Sequence, residues 1–202
     1  MPKINKAGQN TLIMIVSMCL LTTFSGCSST PAAKPDTVLS PPGTTTTVIL
    51  VRHAERAKEH GDSALTPAGQ QRARDLVAAI GDRKITAIYS PNRGRNRETV
   101  EPLSIHVGVP ITESRLSNTR KFADEFVQEI LSKHAGGLVV WVGNKSPVGI
   151  WGGNLKEIYR RLGGTGDSPA RYDDLFIITV PDQGTVSVKK ATYGNSAGRF
   201  DQ

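Results

Sequence analysis

The sequence is poor in cysteine, in aromatic residues and in long apolar runs. Its 202 residues include two cysteines, 5% aromatic residues and four histidines, and no group of histidines and carboxylates has metal-ligand spacing. Two cysteines supply no disulfide framework, so we expect a core that is stable without covalent cross-links. The net charge is +7, but the basic residues are dispersed, which argues against nucleic acid as a partner. We expect neither a metal ion nor another cofactor.

The first 26 residues have the pattern of a signal peptide. Lys3 and Lys6 precede an apolar run from Leu12 to Leu21, and small residues follow. This run is shorter than the roughly 20 apolar residues that a membrane-spanning helix needs. We therefore predict a signal peptide over residues 1–26, with an uncleaved membrane anchor as the alternative.

Residues 24–27, Phe-Ser-Gly-Cys, resemble the lipobox of bacterial lipoproteins, although an aliphatic residue is usual where Phe24 stands. The resemblance implies that Cys27 is lipidated, for example with palmitate, and that Cys19 is removed with the signal peptide. Acyl chains would anchor the chain to a membrane of the bacterial cell envelope, facing the periplasm or the exterior. The alternative is that Cys27 is an ordinary thiol after a conventional cleavage site.

Residues 27–45 have the composition of a flexible spacer. They are rich in Ser, Thr, Pro and Ala and contain few large apolar residues, so they bury too little surface to offset the entropy of ordering. We predict a disordered tether over residues 27–45 and one folded domain over residues 46–202.

Apolar segments of strand and helix type alternate along residues 46–202. This order is typical of an α/β fold of three layers, α/β/α, with a mostly parallel central sheet. The predicted strands are residues 47–51, 85–89, 138–142, 175–180 and 185–190, and the predicted helices are residues 67–80, 93–103, 119–134 and 147–162.

Polar and basic residues follow three of the predicted strands. They are Arg52-His53, residues 90–95 and residues 144–146, and ligands of such sheets bind beyond the carboxyl ends of the strands. Two arginines that converge on an imidazole form a receptor for a phosphoryl group, because each guanidinium donates two hydrogen bonds and stays charged. Their charge would also keep the imidazole neutral and nucleophilic.

Four segments resemble motifs of the histidine phosphatase superfamily, in the family's order. They are residues 51–56 (Val-Arg-His-Ala-Glu-Arg), 65–73, 88–99 and 172–176, with Tyr193-Gly194 as a further match. The resemblance implies a phosphoglycerate mutase-like fold in which His53 is the nucleophile and Arg52 and Arg95 bind phosphate. Arg95 is chosen because it stands four residues before Thr99, whereas Arg93 and Arg97 are expected on a solvated helix face.

The chain departs from the family pattern at the position of a second histidine. Asn144 stands there and can donate an amide hydrogen bond to phosphate, but it supplies no positive charge. Lys145 could compensate in part or could be an ordinary turn residue. The general acid is also unassigned, with Glu55 and Glu113 as conceivable substitutes.

Two functions remain open from the sequence. The first is a phosphatase that acts on a phosphomonoester or other phosphoryl compound through a phosphohistidine, with reduced activity because of Asn144. The second is a non-catalytic lipoprotein that binds a phosphate-bearing ligand in the same pocket. The expected partner is a phosphorylated small molecule, an envelope sugar or a phosphoprotein.

Overall fold

The computed structural model describes residues 38–58, 61–115, 119–145 and 153–194. The signal peptide, Cys27, most of the tether and the start of the predicted helix at residue 147 lie outside these ranges. The described strands are β1 (Thr45–Arg52), β2 (Ala87–Pro91), β3 (Ile111–Ser114), β4 (Leu138–Gly143), β5 (Asp174–Pro181) and β6 (Ser187–Thr192). The described helices are α1 (Pro67–Ile80), α2 (Gly94–Val107), α3 (Thr119–Lys133) and α4 (Asn154–Arg161).

The strands form one six-stranded sheet in the order β3-β2-β4-β1-β5-β6. The pairs β3-β2, β2-β4 and β4-β1 are parallel, while β1-β5 and β5-β6 are antiparallel. The predicted α/β fold with a mostly parallel sheet is therefore confirmed. Because β1 and β4 are parallel neighbours, with Arg52 opposite Gly143, the residues that follow both strands emerge at the same edge.

Apolar layers cover both faces of the sheet. Val48 and Leu50 of β1 belong to the layer that includes the buried residues of α3 and α4, and Ile49 and Val51 belong to the layer that includes those of α1 and α2. All four side chains are fully buried. This alternation explains why the β1 sequence is continuously apolar, since successive side chains enter opposite layers.

Helix α1 begins as its sequence predicts. The Thr66 side chain accepts a hydrogen bond from the backbone N–H of Gly69 at 3.1 Å, and Pro67 occupies the first turn, where no backbone donor is needed. Gly69 packs against the Glu55 backbone so closely that a Cβ at this position would collide with it. The start of α1 is thereby held beside the segment that follows β1.

The folded part extends further toward the N-terminus than the boundary predicted at residue 46. The Ser40 hydroxyl donates to the Val180 carbonyl at 2.6 Å and accepts from the Thr46 N–H at 3.2 Å. Ser40 is buried, and its own N–H bonds the Pro181 carbonyl at 2.9 Å. This segment is held by polar hydrogen bonds and not by apolar packing. The scarcity of large apolar residues in it therefore led to the prediction of a tether.

Among the described helices, none has the length and apolar character required to cross a membrane.

Candidate functional site

The carboxyl ends of β1, β2 and β4 bring the predicted site residues together. Arg52 ends β1, and the His53 N–H donates to the Gly143 carbonyl at the end of β4 at 3.0 Å. Asn144 follows directly, and Arg95 lies in the first turn of α2, just after β2. The topology thus converts three distant sequence segments into neighbours.

A threonine fixes the first turn of α2 against the loop that follows β1. The Thr99 hydroxyl donates to the Arg95 carbonyl at 2.7 Å and accepts from the Ala54 N–H at 2.9 Å. Asn96, which is fully buried, donates to the Val142 carbonyl at 3.2 Å. These bonds orient the helix so that Arg95 is held inward, with a side chain only 12% exposed, whereas Arg97 is 54% exposed.

His53 is a buried imidazole. Its Nδ1 lies 2.8 Å from the Ala54 carbonyl oxygen, to which it donates, and this tautomer leaves the lone pair on Nε2. Burial lowers the pKa of His53 to about 4, and the Arg95 and Arg52 guanidiniums push it in the same direction against the Ala54 hydrogen bond. His53 is therefore neutral at pH 7, which is the form that can attack phosphorus.

Two partly buried guanidiniums lie near this imidazole. Arg52 donates from Nη1 to the Ala170 carbonyl at 2.8 Å, and its guanidinium carbon lies 4.0 Å from the centroid of the Tyr172 ring. Burial lowers the pKa of both Arg52 and Arg95, but an arginine remains charged. The Nε atoms of both are buried and meet no acceptor within the described residues, so an anion there would satisfy them.

Asn144 contacts the arginine of α2 directly. Its Oδ1 accepts from Arg95 Nη2 at 2.8 Å, and the side chain is buried. The backbone N–H of Asn144 donates to Asn154 Oδ1 at 3.0 Å, and the Trp141 indole donates to the same oxygen at 3.1 Å. Gly143 permits this packing, because a Cβ at that position would collide with Asn154 and Trp141. Asn144 thus orients Arg95 without adding charge.

Both predicted substitutes for the general acid are paired with arginines. Burial raises the pKa of Glu55, but hydrogen bonds from Arg72 at 2.6 and 2.9 Å outweigh it and lower the pKa. Glu113 pairs with Arg97 at 3.6 Å. Asp62, 3.4 Å from Arg95, also has a lowered pKa, because hydrogen bonds from the backbone N–H groups of Gly94 and Arg95 outweigh its burial. Glu55 and Asp62 therefore stay ionised, and all three carboxylates serve as partners of arginines or backbone donors.

Sequence reasoning missed four residues that shape the site: Arg56, Asp62, Asn154 and Tyr172. Arg56 stands within the motif of residues 51–56, and its charge contributes to lowering the pKa of both His53 and Arg95. Its position three residues after His53 was a usable signal. Tyr172, whose ring centroid lies 5.7 Å from that of His53, is brought there by packing at long range.

The other histidines and carboxylates have structural contacts or lie outside the described residues. No group of three metal-binding side chains occurs in the part of the chain that the structure describes. His134 bonds the Tyr89 hydroxyl at 2.9 Å, near the C-terminal end of α3. His60 and Trp151 lie outside the described residues.

Comparisons with known proteins concern the family and the fold. The family profile described as "Histidine phosphatase superfamily (branch 1)" matches residues 48–162. No curated protein matches the chain at a significant level.

Solved structures share the fold. The native mycobacterial glucosyl-3-phosphoglycerate phosphatase Rv2419c is 13% identical, with a TM-score of 0.53 over 72% of this chain and 97% of that one. Bacillus stearothermophilus YhfR is 23% identical, with a TM-score of 0.55 over 71% of this chain and 95% of that one. The protein histidine phosphatase SixA, complexed with tungstate, is 13% identical, with a TM-score of 0.52 over 72% and 96%.

Proposed function

Because this chain belongs to the histidine phosphatase superfamily, we propose that it is a phosphatase that hydrolyses a phosphomonoester or another phosphoryl compound through a phosphohistidine on His53. The observation that carries the proposal is a buried, neutral imidazole whose pKa is lowered by burial and by two flanking guanidiniums. Their unpaired buried Nε donors add support, since a phosphoryl group offers the oxygens that they need.

The reaction follows from these positions. Arg52 and Arg95 bind the nonbridging oxygens of the phosphoryl group, and His53 Nε2 attacks phosphorus from the side opposite the leaving oxygen. The bond from phosphorus to the leaving oxygen breaks, and that oxygen takes a proton from solvent water. Water then attacks the phosphohistidine, which releases inorganic phosphate and restores neutral His53.

Asn144 and the ionised carboxylates limit the rate. An amide at position 144 adds no positive charge to the transition state, and removal of one such donor costs about 10²- to 10³-fold in rate. With Glu55 tied to Arg72, proton donation to the leaving oxygen is also weak. We therefore expect reduced activity on alkyl phosphates and faster turnover of compounds with good leaving groups, such as acyl phosphates or phosphohistidine.

A second function is favoured by the contact between Arg95 and Asn144. The same pocket would bind a phosphate-bearing ligand without turnover, since both arginines are held in place while the described carboxylates Glu55 and Asp62 are ionised and cannot donate a proton. The ligand in either case is a phosphorylated small molecule, an envelope sugar or a phosphoprotein. We further propose that Cys27 carries a lipid anchor at the bacterial envelope, and absence of incorporated labelled palmitate would contradict this.

Turnover by the full-length chain distinguishes the two functions. The wild-type chain and the His53→Ala variant are assayed on a panel of phosphomonoesters and on acetyl phosphate. If the protein is an enzyme, the turnover number of the wild type must exceed that of the variant. The Asn144→His variant should gain about 10²-fold or more in turnover number, because the substitution restores a charged donor. Wild-type turnover equal to that of His53→Ala would refute catalysis.

Phosphate binding is tested separately by titration calorimetry. Arg95→Ala should weaken inorganic phosphate binding about 10- to 150-fold, the range expected for lost charge-assisted hydrogen bonds. Arg97→Ala is the matched control, because Arg97 lies on the same helix but faces outward and pairs with Glu113. Equal effects of the two substitutions would argue against a phosphate site at Arg95. Binding that survives His53→Ala but not Arg95→Ala, without turnover in wild type, would favour the binding module.

A further inference from the structure

A concavity adjoins the candidate site. It has a volume of about 910 Å³ and lies between the start of α4, the segment 166–171 and the edge formed by β5 and β6. Its walls include Asn144, Lys145, Lys156, Ala170, Arg171 and Lys190. A volume of this size accommodates a small organic molecule. We call this concavity the lysine hollow.

The lysine hollow shares two wall residues with the cluster around His53. Asn144 lines the hollow and accepts from Arg95, and Ala170 lines it and accepts from Arg52 through its carbonyl. Both guanidiniums are therefore hydrogen-bonded to residues that border the hollow. The part of a substrate that extends beyond its phosphoryl group would enter this space.

Positive charge in the hollow is only partly compensated. Arg171 is paired with Asp173 at 2.6 Å, and the Asp174 carboxylate is occupied by the backbone N–H groups of Ala170 and Arg171, both at 2.7 Å. Within the described residues, neither Lys145 nor Lys156 takes part in an ion pair. A concave surface lined by unpaired cations concentrates anions.

Lys190 is held in position over the same space. Its ammonium lies 5.0 Å from the Phe176 ring centroid and 5.9 Å from that of Tyr159, and it donates to the Asp167 carbonyl at 3.1 Å. The ammonium itself is thus placed by two ring faces and a carbonyl, and the residue is exposed, so the charge stays accessible. Lys190 should therefore lose less conformational entropy when it binds an anion than a freely moving surface lysine does.

We propose that the lysine hollow binds a second acidic group of the substrate, so that the substrate class is a phosphomonoester that carries a further phosphate or carboxylate. The inference rests on the proposed phosphate site at Arg52 and Arg95 and extends it. Lys145 and Lys156 are the expected partners of the second anion, with Lys190 at the far wall.

Paired ligands test the hollow independently of turnover. Glucose 1-phosphate and glucose 1,6-bisphosphate are titrated calorimetrically into the full-length His53→Ala variant, which blocks hydrolysis. We expect the bisphosphate to bind more tightly, and Lys156→Gln in this background to reduce that preference about fivefold, the scale of one partly exposed ion pair. Lys156→Arg should restore the preference, because it retains the charge.

The control is Lys84→Gln, an exposed lysine on the loop that precedes β2, which does not line the hollow. This variant should keep the wild-type preference. Equal affinities for the two sugars, or equal effects of Lys156→Gln and Lys84→Gln, would reject the proposal that the lysine hollow binds a second acidic group. The proposed phosphate site would be unaffected by that result. Failure of both sugars to bind would instead reject the phosphate site and, with it, the inference that depends on it.

Discussion

The buried state of His53 makes a quantitative prediction about stability and pH. Acidification from about pH 7.5 to about pH 5.0 should lower the free energy of unfolding of the wild-type chain by about 2 kcal/mol more than that of a His53→Gln variant. Glutamine has a similar size and does not titrate, so the difference between the two chains isolates the charge of this imidazole.

The magnitude follows from the two pKa values of the group. Burial and the flanking guanidiniums lower the pKa of His53 to about 4 in the folded chain, while an unfolded histidine titrates near the ordinary value of 6.5. Between these values the unfolded state binds more protons than the folded state, so stability rises with pH through this window. Integration from pH 5.0 to 7.5 gives about 2 kcal/mol, and almost no further gain is expected above pH 7.5.

Urea unfolding measures the effect. Both chains are unfolded at the two pH values in phosphate-free buffer, and their losses are subtracted, which cancels the contributions of His60, His106 and His134 to the extent that these are unchanged. His53→Asn serves as a second non-titrating variant in case glutamine packs poorly. Equal losses in wild type and in both variants would mean that His53 is not buried as a neutral ring, and the proposed nucleophile would lose its physical basis.

Three further substitutions probe the support of the site. Asn154→Ala should reduce the free energy of unfolding by about 1–3 kcal/mol in urea, because the buried N–H of Asn144 loses its acceptor, and an unchanged value would refute that contact. Tyr172→Leu should weaken phosphate binding about threefold by calorimetry, since Arg52 loses an aromatic face, and unaltered affinity would contradict it. Leu103→Ala should cost about 2–5 kcal/mol of stability, yet leave phosphate affinity unchanged, because Leu103 lies in the core.

The parts of the fold that could be predicted are the strands and helices with a clear hydrophobic pattern in their own sequence. The continuous apolar run of β1 required burial on both faces, and the structure provides it. Strand β3 was not predicted, because its four residues, Ile-Thr-Glu-Ser, lie at the sheet edge and are partly or fully exposed. A strand without a buried face leaves no hydrophobic pattern, and its pairing with β2 arises from tertiary context.

Some residues of the candidate site could likewise be predicted from local sequence, and others could not. Arg52 and His53 are adjacent in sequence, and Arg95 was chosen by its distance from Thr99, whose hydroxyl bonds the Arg95 carbonyl one helical turn away. Local spacing therefore sufficed for these residues. Asn154 and Tyr172 approach the site from α4 and from the segment before β5. Tyr172 stands in the motif of residues 172–176, but neither that motif nor any pattern around Asn154 indicates which residues they contact, because these contacts depend on long-range packing.

Asn144 is expected to affect phosphate binding and catalysis to different extents. Its amide oxygen satisfies Arg95 at 2.8 Å, so the guanidinium remains positioned for a phosphate although the residue carries no charge. In the ground state the positive field of Arg52 and Arg95 already compensates a bound phosphate, and an extra cation adds little. Charge redistributes as the bond to the leaving oxygen breaks, and a cationic donor at position 144 would act there. An asparagine at this position should therefore lower turnover far more than affinity, so the same residues are compatible with either of the two proposed functions.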